Sequence, residues 1–313
     1  MSKSQIVDEA APFVRGAEKV MAEPKRSGHA SRPPGEKSLA ASPGTWFVWA
    51  GIGAFFIFLF GIISSVLVDS FGKPWFRTWL PENFTLSWYQ SAWDKFDMTH
   101  IIGVTLIVGF SVVAISVLIG VPASYVLARS NFPLKRLVMV LFLLPILIPP
   151  ITFGIPLATV MYNFGLGRTL IAVILVNLVP SVPFVIITMT PFIEQINPSI
   201  ENAARMCGAN MRQVFVRVLA PLLVPGILAA GILVLVRTVG MFELTFLVSG
   251  PSSDTLVVAI YRAMTSAGGS EARQLVSAMG VVYTAMMLII LVVALRFINP
   301  TQLVAQVKES RDE

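Results

Sequence analysis

Three polar side chains interrupt long apolar runs in this chain, and their chemistry is that of charge and hydrogen-bond recognition. Arg237 lies about sixteen residues past Pro221 in an aliphatic stretch, roughly 24 Å along a helix that rises about 1.5 Å per residue. An ionisable group at that depth faces a protein interior or an aqueous cavity, where an anionic solute or a carboxylate from another helix would satisfy it. Glu243 follows six residues later, about 120° around an ideal helix, so the two do not form a same-face pair. Gly240 between them can alter that geometry. Glu243 would either attract a cation near the outer mouth or snorkel to interfacial water. For both residues structural pairing and solute contact stay open. Asn177 is the third candidate for a lining position, with hydrogen bonding between helices as its competing role.

Covalent chemistry has no comparable signature. The sequence contains no Gly-x-x-x-x-Gly-Lys-Ser/Thr phosphate loop and no clustered His, Cys or carboxylate set for a metal. His29 stands in a polar tail and His100 at a span boundary, where solvation accounts for them. Cys207 is the single cysteine, which excludes an internal disulfide and suits a small packing residue. An enzyme acting inside the membrane is therefore not expected, nor a resident cofactor or metal.

Between two apolar runs lies a polar, cationic segment, Glu201-Asn-Ala-Ala-Arg-Met-Cys-Gly-Ala-Asn-Met-Arg-Gln-Val-Phe-Val-Arg-Val-Leu-Ala-Pro221. Ala203 and Ala204 favour helix without bulk, so a partner surface can approach the backbone there. Gly208 can take positive φ and end that short helix, letting Met211 to Leu219 begin another in a new direction. Arg205, Arg212 and Arg217 hold the segment on the cytoplasmic side and offer charge to a partner. A plain basic loop obeying the positive-inside rule is the competing account, but it would not require Ala-Ala, Gly and Pro at these intervals.

The elements that must position these residues are membrane spans. A hydrophobic content of 55%, a charged content of 13% and a mean hydropathy of +0.78 exclude an ordinary soluble domain of this length. Six helices are expected, near Trp46–Val68, Ile101–Leu127, Leu137–Tyr162, Leu170–Phe192, Leu222–Val248 and Leu275–Phe297, each long enough for a core needing ~20 apolar residues. Pro145, Pro149, Pro150 and Pro156 in the third, and Pro180 and Pro183 in the fourth, predict kinks that shape a cavity or are simply tolerated. With the N-terminus inside, Lys and Arg divide sixteen to the cytoplasmic segments against six outside. Both termini and the loop are thus expected in the cytoplasm. Topology accounts for the net charge of +6, and no nucleic-acid partner is expected.

Residues 1–45 read as a flexible cytoplasmic tail, with an amphipathic stretch over Val7–Met21 as a membrane-surface candidate. The first span reads as a signal anchor, since no small-residue cleavage site follows it. The outer segment 69–99 carries Trp75, Trp79, Trp88, Tyr89 and Trp93, which suit interfacial anchoring or an external partner. Residues 298–313 form a second cytoplasmic tail.

The Glu201–Pro221 pattern resembles the EAA loop of binding-protein-dependent ABC importer permeases. Aligned on Gly208, the family's Glu-Ala-Ala falls on Asn202-Ala203-Ala204, with Glu201 one place early, and Ala220 stands for the usual Leu before Pro221. Thr105-Leu106, Gly120-Val-Pro-Ala-Ser-Tyr-Val-Leu-Ala-Arg129 and Leu144-Pro-Ile-Leu-Ile-Pro-Pro150 are similar to further family landmarks. The family's usual Asn before that Thr-Leu is Val104. The resemblance implies an all-α membrane protein with a five-helix core over 100–297, its coupling loop over 195–221, and an extra N-terminal helix. It implies a permease subunit receiving a small solute from a periplasmic binding protein. The implied partners are two ATPase subunits that bind ATP-Mg, a second and different permease, and lipid of a bacterial inner membrane. Phe242–Pro251 and Thr255-Leu256 resemble members associated with polyamines or ferric iron, so a polyamine-like solute is expected. A secondary transporter working without an ATPase is the alternative, to be favoured by inverted repeats or coupling-ion carboxylates, neither of which is evident.

Overall fold

The structure, a computed structural model, describes residues 43–73, 81, 83–265 and 272–297. The Val7–Met21 stretch, Trp75, Trp79 and the tail 298–313 lie outside the described residues. The chain divides into two units, Met1–Phe60 and Gly61–Glu313. It is an all-α membrane protein: five described helices are long and apolar enough to cross a bilayer, and a bent pair of shorter apolar helices would make a sixth span if the two halves cross as one.

Helix α1 spans Pro43–Phe71. Its part in the first unit is apolar around the full circumference, as a helix surrounded by other apolar groups must be, with Phe56 edge-on to Phe55 and stacked on Phe60. Its later part belongs to the second unit and ends in polar ties. Asp69, buried, accepts two bonds from Arg273, at 2.7 and 3.2 Å, and one from Ser277 at 2.8 Å. The short helix α2, Ser87–Phe96, presents Tyr89 to Ser70 at 2.9 Å and the Trp88 indole N–H to the Gly72 carbonyl at 2.9 Å. These two aromatics therefore hold the end of α1, while Trp93 remains exposed and donates to Thr99.

Helix α3, Met98–Arg129, is capped by Asp97, whose carboxylate accepts the His100 N–H. It packs most extensively on α6, Leu170–Glu194. That approach depends on Gly120, where a Cβ would lie 2.7 Å from the Val185 side chain. Val108, Val112, Val173, Val176, Val185 and Met189 fill the seam with little or no exposure.

The third expected span, Leu137–Tyr162, is a correction. Instead of one kinked helix there are two, α4 over Lys135–Leu147 and α5 over Pro150–Asn163, bent by 93°. Two prolines in sequence explain the break. Pro149 and Pro150 each disfavour helical geometry in the preceding residue, and Ile148 and Pro149 are accordingly extended, with ψ of 134° and 132°. Thirteen or fourteen residues span only ~20 Å, so neither half crosses a ~30 Å core alone.

The fifth span is displaced toward the polar loop. After α7, Pro198–Met206, helix α8 runs over Met211–Val239, not Leu222–Val248. Val214–Leu219 within it is a π-helical turn, and the Ala220 N–H reaches the Phe215 carbonyl. This widening relieves the clash that Pro221 would otherwise make with the carbonyl four residues before it, so the rod continues through the proline. Gly240 caps α8, and a separate short helix, α9, covers Glu243–Val248. Helices α10, Leu256–Thr265, and α11, Arg273–Phe297, complete the unit. The Thr105 hydroxyl of α3 accepts the Leu256 N–H at 2.9 Å, joining two sequence landmarks 151 residues apart.

Candidate functional site

Helix α7 and the turn after it form a compact device at one end of the core. Asn197 opens the helix by accepting the Ser199 N–H, with Pro198 in the first turn. Gly208 closes it at a φ of +85°, with the Gly208 N–H on the Arg205 carbonyl and the Ala209 N–H on the Ala204 carbonyl. That pair of bonds is the Schellman closure, whose left-handed position suits glycine. Asn210 then caps α8, its side chain and that of Gln213 each taking the other's backbone N–H at 2.9 and 2.8 Å.

Glu201 corrects the reading of this loop as a surface throughout. It is 3% exposed and turned inward. Its carboxylate accepts the Tyr125 hydroxyl at 2.8 Å and the Arg129 Nε at 2.8 Å, with Arg205 3.9 Å away. Arg129 also donates to the Ile196 carbonyl at 2.6 Å. A carboxylate is tolerated in such a place because its charge and lone pairs are matched at once. Tyr125 and Arg129 thus hold α7 against the end of α3. The sequence reading gave neither of them a role, since only the fold brings residues 72 and 76 positions away to Glu201.

The outward face is built from what remains. Asn202, Ala203, Arg205, Gly208, Arg212 and Pro221 are exposed, as are Cys207 and Arg217, while Ala204 is half-buried and packs on the core. Met206, at 89%, and Met211 stand out beside Ala203. The Arg205 guanidinium reaches the Met211 sulfur at 3.2 Å. An apolar, adaptable knob with Arg205 against it, on a segment that also exposes Arg212 and Arg217, is a surface suited to entering a recess on another protein.

The three pathway candidates are not brought together. Asn177 is 1% exposed and lies inside the core, donating to the Val173 carbonyl at 2.8 Å and to Thr245 of α9 at 3.2 Å. It joins α6 to α9. Arg237 occupies the last turn of α8, half-buried, with its guanidinium carbon 5.7 Å from the Phe184 ring centre. Glu243 is half-buried in the first turn of α9, where the helix dipole favours an acid. The helix break separates it from Arg237. Neither makes an ion pair among the described residues.

The turn after α9 lies in and beside the Phe242–Pro251 segment that the sequence singled out, and its ties to Asp254, Arg262 and Arg168 were not legible there. Asp254 accepts the Ser249 hydroxyl at 2.7 Å and sits 2.8 Å from Arg262 Nε, an ion pair. The Arg168 N–H donates to the Val248 carbonyl at 2.8 Å, and the Ser253 hydroxyl to the Arg168 carbonyl at 3.2 Å. Phe242, Phe246 and Tyr261 pack ring on ring between α9 and α10.

Comparison with known proteins extends these observations. The chain is 32% identical over 184 residues to the sulfoquinovosyl glycerol transport system permease protein SmoH of Agrobacterium fabrum, covering 58% of this chain and 65% of that protein. It is 36% identical over 129 residues to the trehalose transport system permease protein SugB of Mycobacterium tuberculosis, covering 41% and 47%. The sulfate transport system permease protein CysT of Salmonella typhimurium is 27% identical, covering 53% and 65%. The chain thus spans about half to two thirds of the length of these relatives. In fold it is similar to a chain of a bacterial ABC transporter involved in the import of the acidic polysaccharide alginate, with a TM-score of 0.68 at 20% identity over 85% of this chain and 99% of that one. Residues 120–302 match the family described as binding-protein-dependent transport system inner membrane component. With more than half of its length in that match, the chain belongs to this family of ABC transporter permeases.

Proposed function

We propose that this chain is the permease subunit of an ATP-driven importer, passing a small hydrophilic solute from a periplasmic binding protein into the cytoplasm. The observation that carries the reading is the arrangement around α7. An exposed knob, Ala203 to Met206, is fastened by Glu201 to α3 and continues through Gly208 into α8. A push on the knob would therefore move two spanning helices together, and α8 ends in the turn that holds Arg237. In this reading two ATPase subunits bind ATP-Mg and take the knob, a second, different permease completes the solute path, and both termini and the loop face the cytoplasm of an inner membrane. Chemistry on ATP is assigned to the partner subunits.

The solute class is the finer part of the proposal. Relatives named above are called permeases for sulfoquinovosyl glycerol, trehalose and sulfate, and another is named for molybdenum. None of these four is a polyamine permease. The residues behind the polyamine-like expectation have structural work here, with Leu256 capped by Thr105 and Ser249 held by Asp254. A polar, non-polyamine solute is therefore the reading put forward.

Cys207 supplies the test, being exposed and the single thiol. A membrane-impermeant maleimide is expected to label it in inside-out vesicles and not in intact spheroplasts, and co-expressed ATPase is expected to slow the labelling. Labelling from the periplasmic side would overturn the topology, and uptake that needs no ATP would overturn the importer.

A further inference from the structure

The acids of the described core are nearly all occupied. Glu201 is held by Arg129 and Tyr125, Asp69 by Arg273 and Ser277, and Asp254 by Arg262 and Ser249. Glu243 lies beyond the break at Gly240 and opens another helix. Arg237 is left, in the last turn of a spanning helix, with no ion pair and no hydrogen bond to its guanidinium among the described residues. Its neighbour is the face of Phe184, which attracts a cation but accepts none of its five N–H donors in the manner of an oxygen. An arginine in a spanning helix with no counter-charge among the described residues is open to one supplied by a group that binds there.

We infer that the transported solute is an anion, bearing a carboxylate, sulfonate, sulfate or phosphate group, and that Arg237 is the cation that receives it within the membrane. The inference rests on the permease reading above and names its substrate class. A guanidinium fits such oxyanions because its planar fork presents two parallel donors to two oxygens. Phe184 is compatible with this use, since a ring 5.7 Å from the guanidinium carbon attracts the cation without taking up its N–H donors. Arginine also keeps its charge where a lysine would shed a proton on desolvation, so the site stays cationic between loads.

The test uses the chain purified with its co-expressed ATPase and second permease in proteoliposomes. Solute released from the denatured cognate binding protein is identified by mass spectrometry, and that molecule, isotopically labelled, is the uptake probe. The expected solute is negatively charged at neutral pH. Arg237→Gln should lower uptake at limiting solute by about tenfold or more, through a raised half-saturation concentration, because a charge-assisted pair is lost. Arg237→Lys should recover part of it. A neutral or cationic solute overturns the inference, and so does wild-type uptake by Arg237→Gln. Loss of assembly in Arg237→Gln that is rescued by neutralising a carboxylate on the second permease makes the arginine an intersubunit tie and also overturns it. Failure of the permease reading looks different: no ATPase co-purifies and uptake proceeds without ATP.

Discussion

Glu201 and Arg237 are both charged groups set among apolar helices, yet one is saturated with partners and the other has a single ring. Glu201, 3% exposed, is met by a guanidinium and a phenol, and its helix is thereby fixed to α3. Arg237 is half-buried, and among the described residues its guanidinium has the Phe184 ring and no ion pair. The difference separates two uses of charge in a membrane protein. A group matched within the fold transmits force, because moving it means breaking several bonds together. A group left unmatched is available to something that comes and goes.

The largest effect should follow from breaking the matched site. Glu201→Ala leaves Arg129 partly buried without its anion, which costs on the order of 3–5 kcal/mol. The expected outcome is a sharp drop in the melting temperature of the detergent-solubilised complex. Replacing both, Glu201→Gln with Arg129→Gln, should recover much of that loss, since no lone charge remains. Additive losses in the double variant would deny that the two act as a unit.

Gly208→Val comes next. No atom lies within 4 Å of a Cβ at that position, so crowding is not the issue; the φ of +85° is, at a cost of roughly 1–2 kcal/mol for a non-glycine residue. Membrane insertion should be intact while the knob is misaligned, so ATP hydrolysis should continue with uptake lost. Normal uptake by a normally assembled variant would remove the coupling role of the loop.

The smallest effect on stability should come from Arg237→Gln. With only a ring contact to lose, the complex should soften by no more than about 1 kcal/mol, read as a near-unchanged melting temperature. A loss as large as that of Glu201→Ala would erase the contrast between the two sites.

Much of the fold is legible in the residue pattern, because apolar length alone locates a helix in a bilayer. Four of the six expected spans reappear with ends moved by a few residues, as for Leu170–Phe192 and Leu170–Glu194. Hydropathy is blind to backbone direction, however. The expected Leu222–Val248 span runs through Gly240, where the helix stops, and excludes Met211–Pro221, where a helix continues although Arg212, Gln213 and Arg217 interrupt its apolar run. Pro149-Pro150 announced a disturbance, but its size depends on Ile148 and Pro149 being extended together. In the site, the turn at Gly208 is local and visible from glycine alone. The ties of Glu201 to Tyr125 and of Asp69 to Arg273 are not, since the partners stand 76 and 204 residues apart and nothing in their local sequence names the other.

The π turn at Val214–Leu219 also sets an angular phase. Each residue of an α-helix advances about 100° around the axis, whereas a π turn takes up an additional residue with little added rotation. It therefore acts as an offset between the face that carries Arg212 and Arg217 and the face that carries Arg237. Deleting one residue from the turn would restore a plain helix of almost the same length. The knob at Met206 and the cation at Arg237 would then keep nearly the directions they hold now, because the residue removed had added little rotation. Length and alignment would both be nearly conserved, whereas one residue removed from the plain helix over Ala220–Val239 should act as a twist of about 100°.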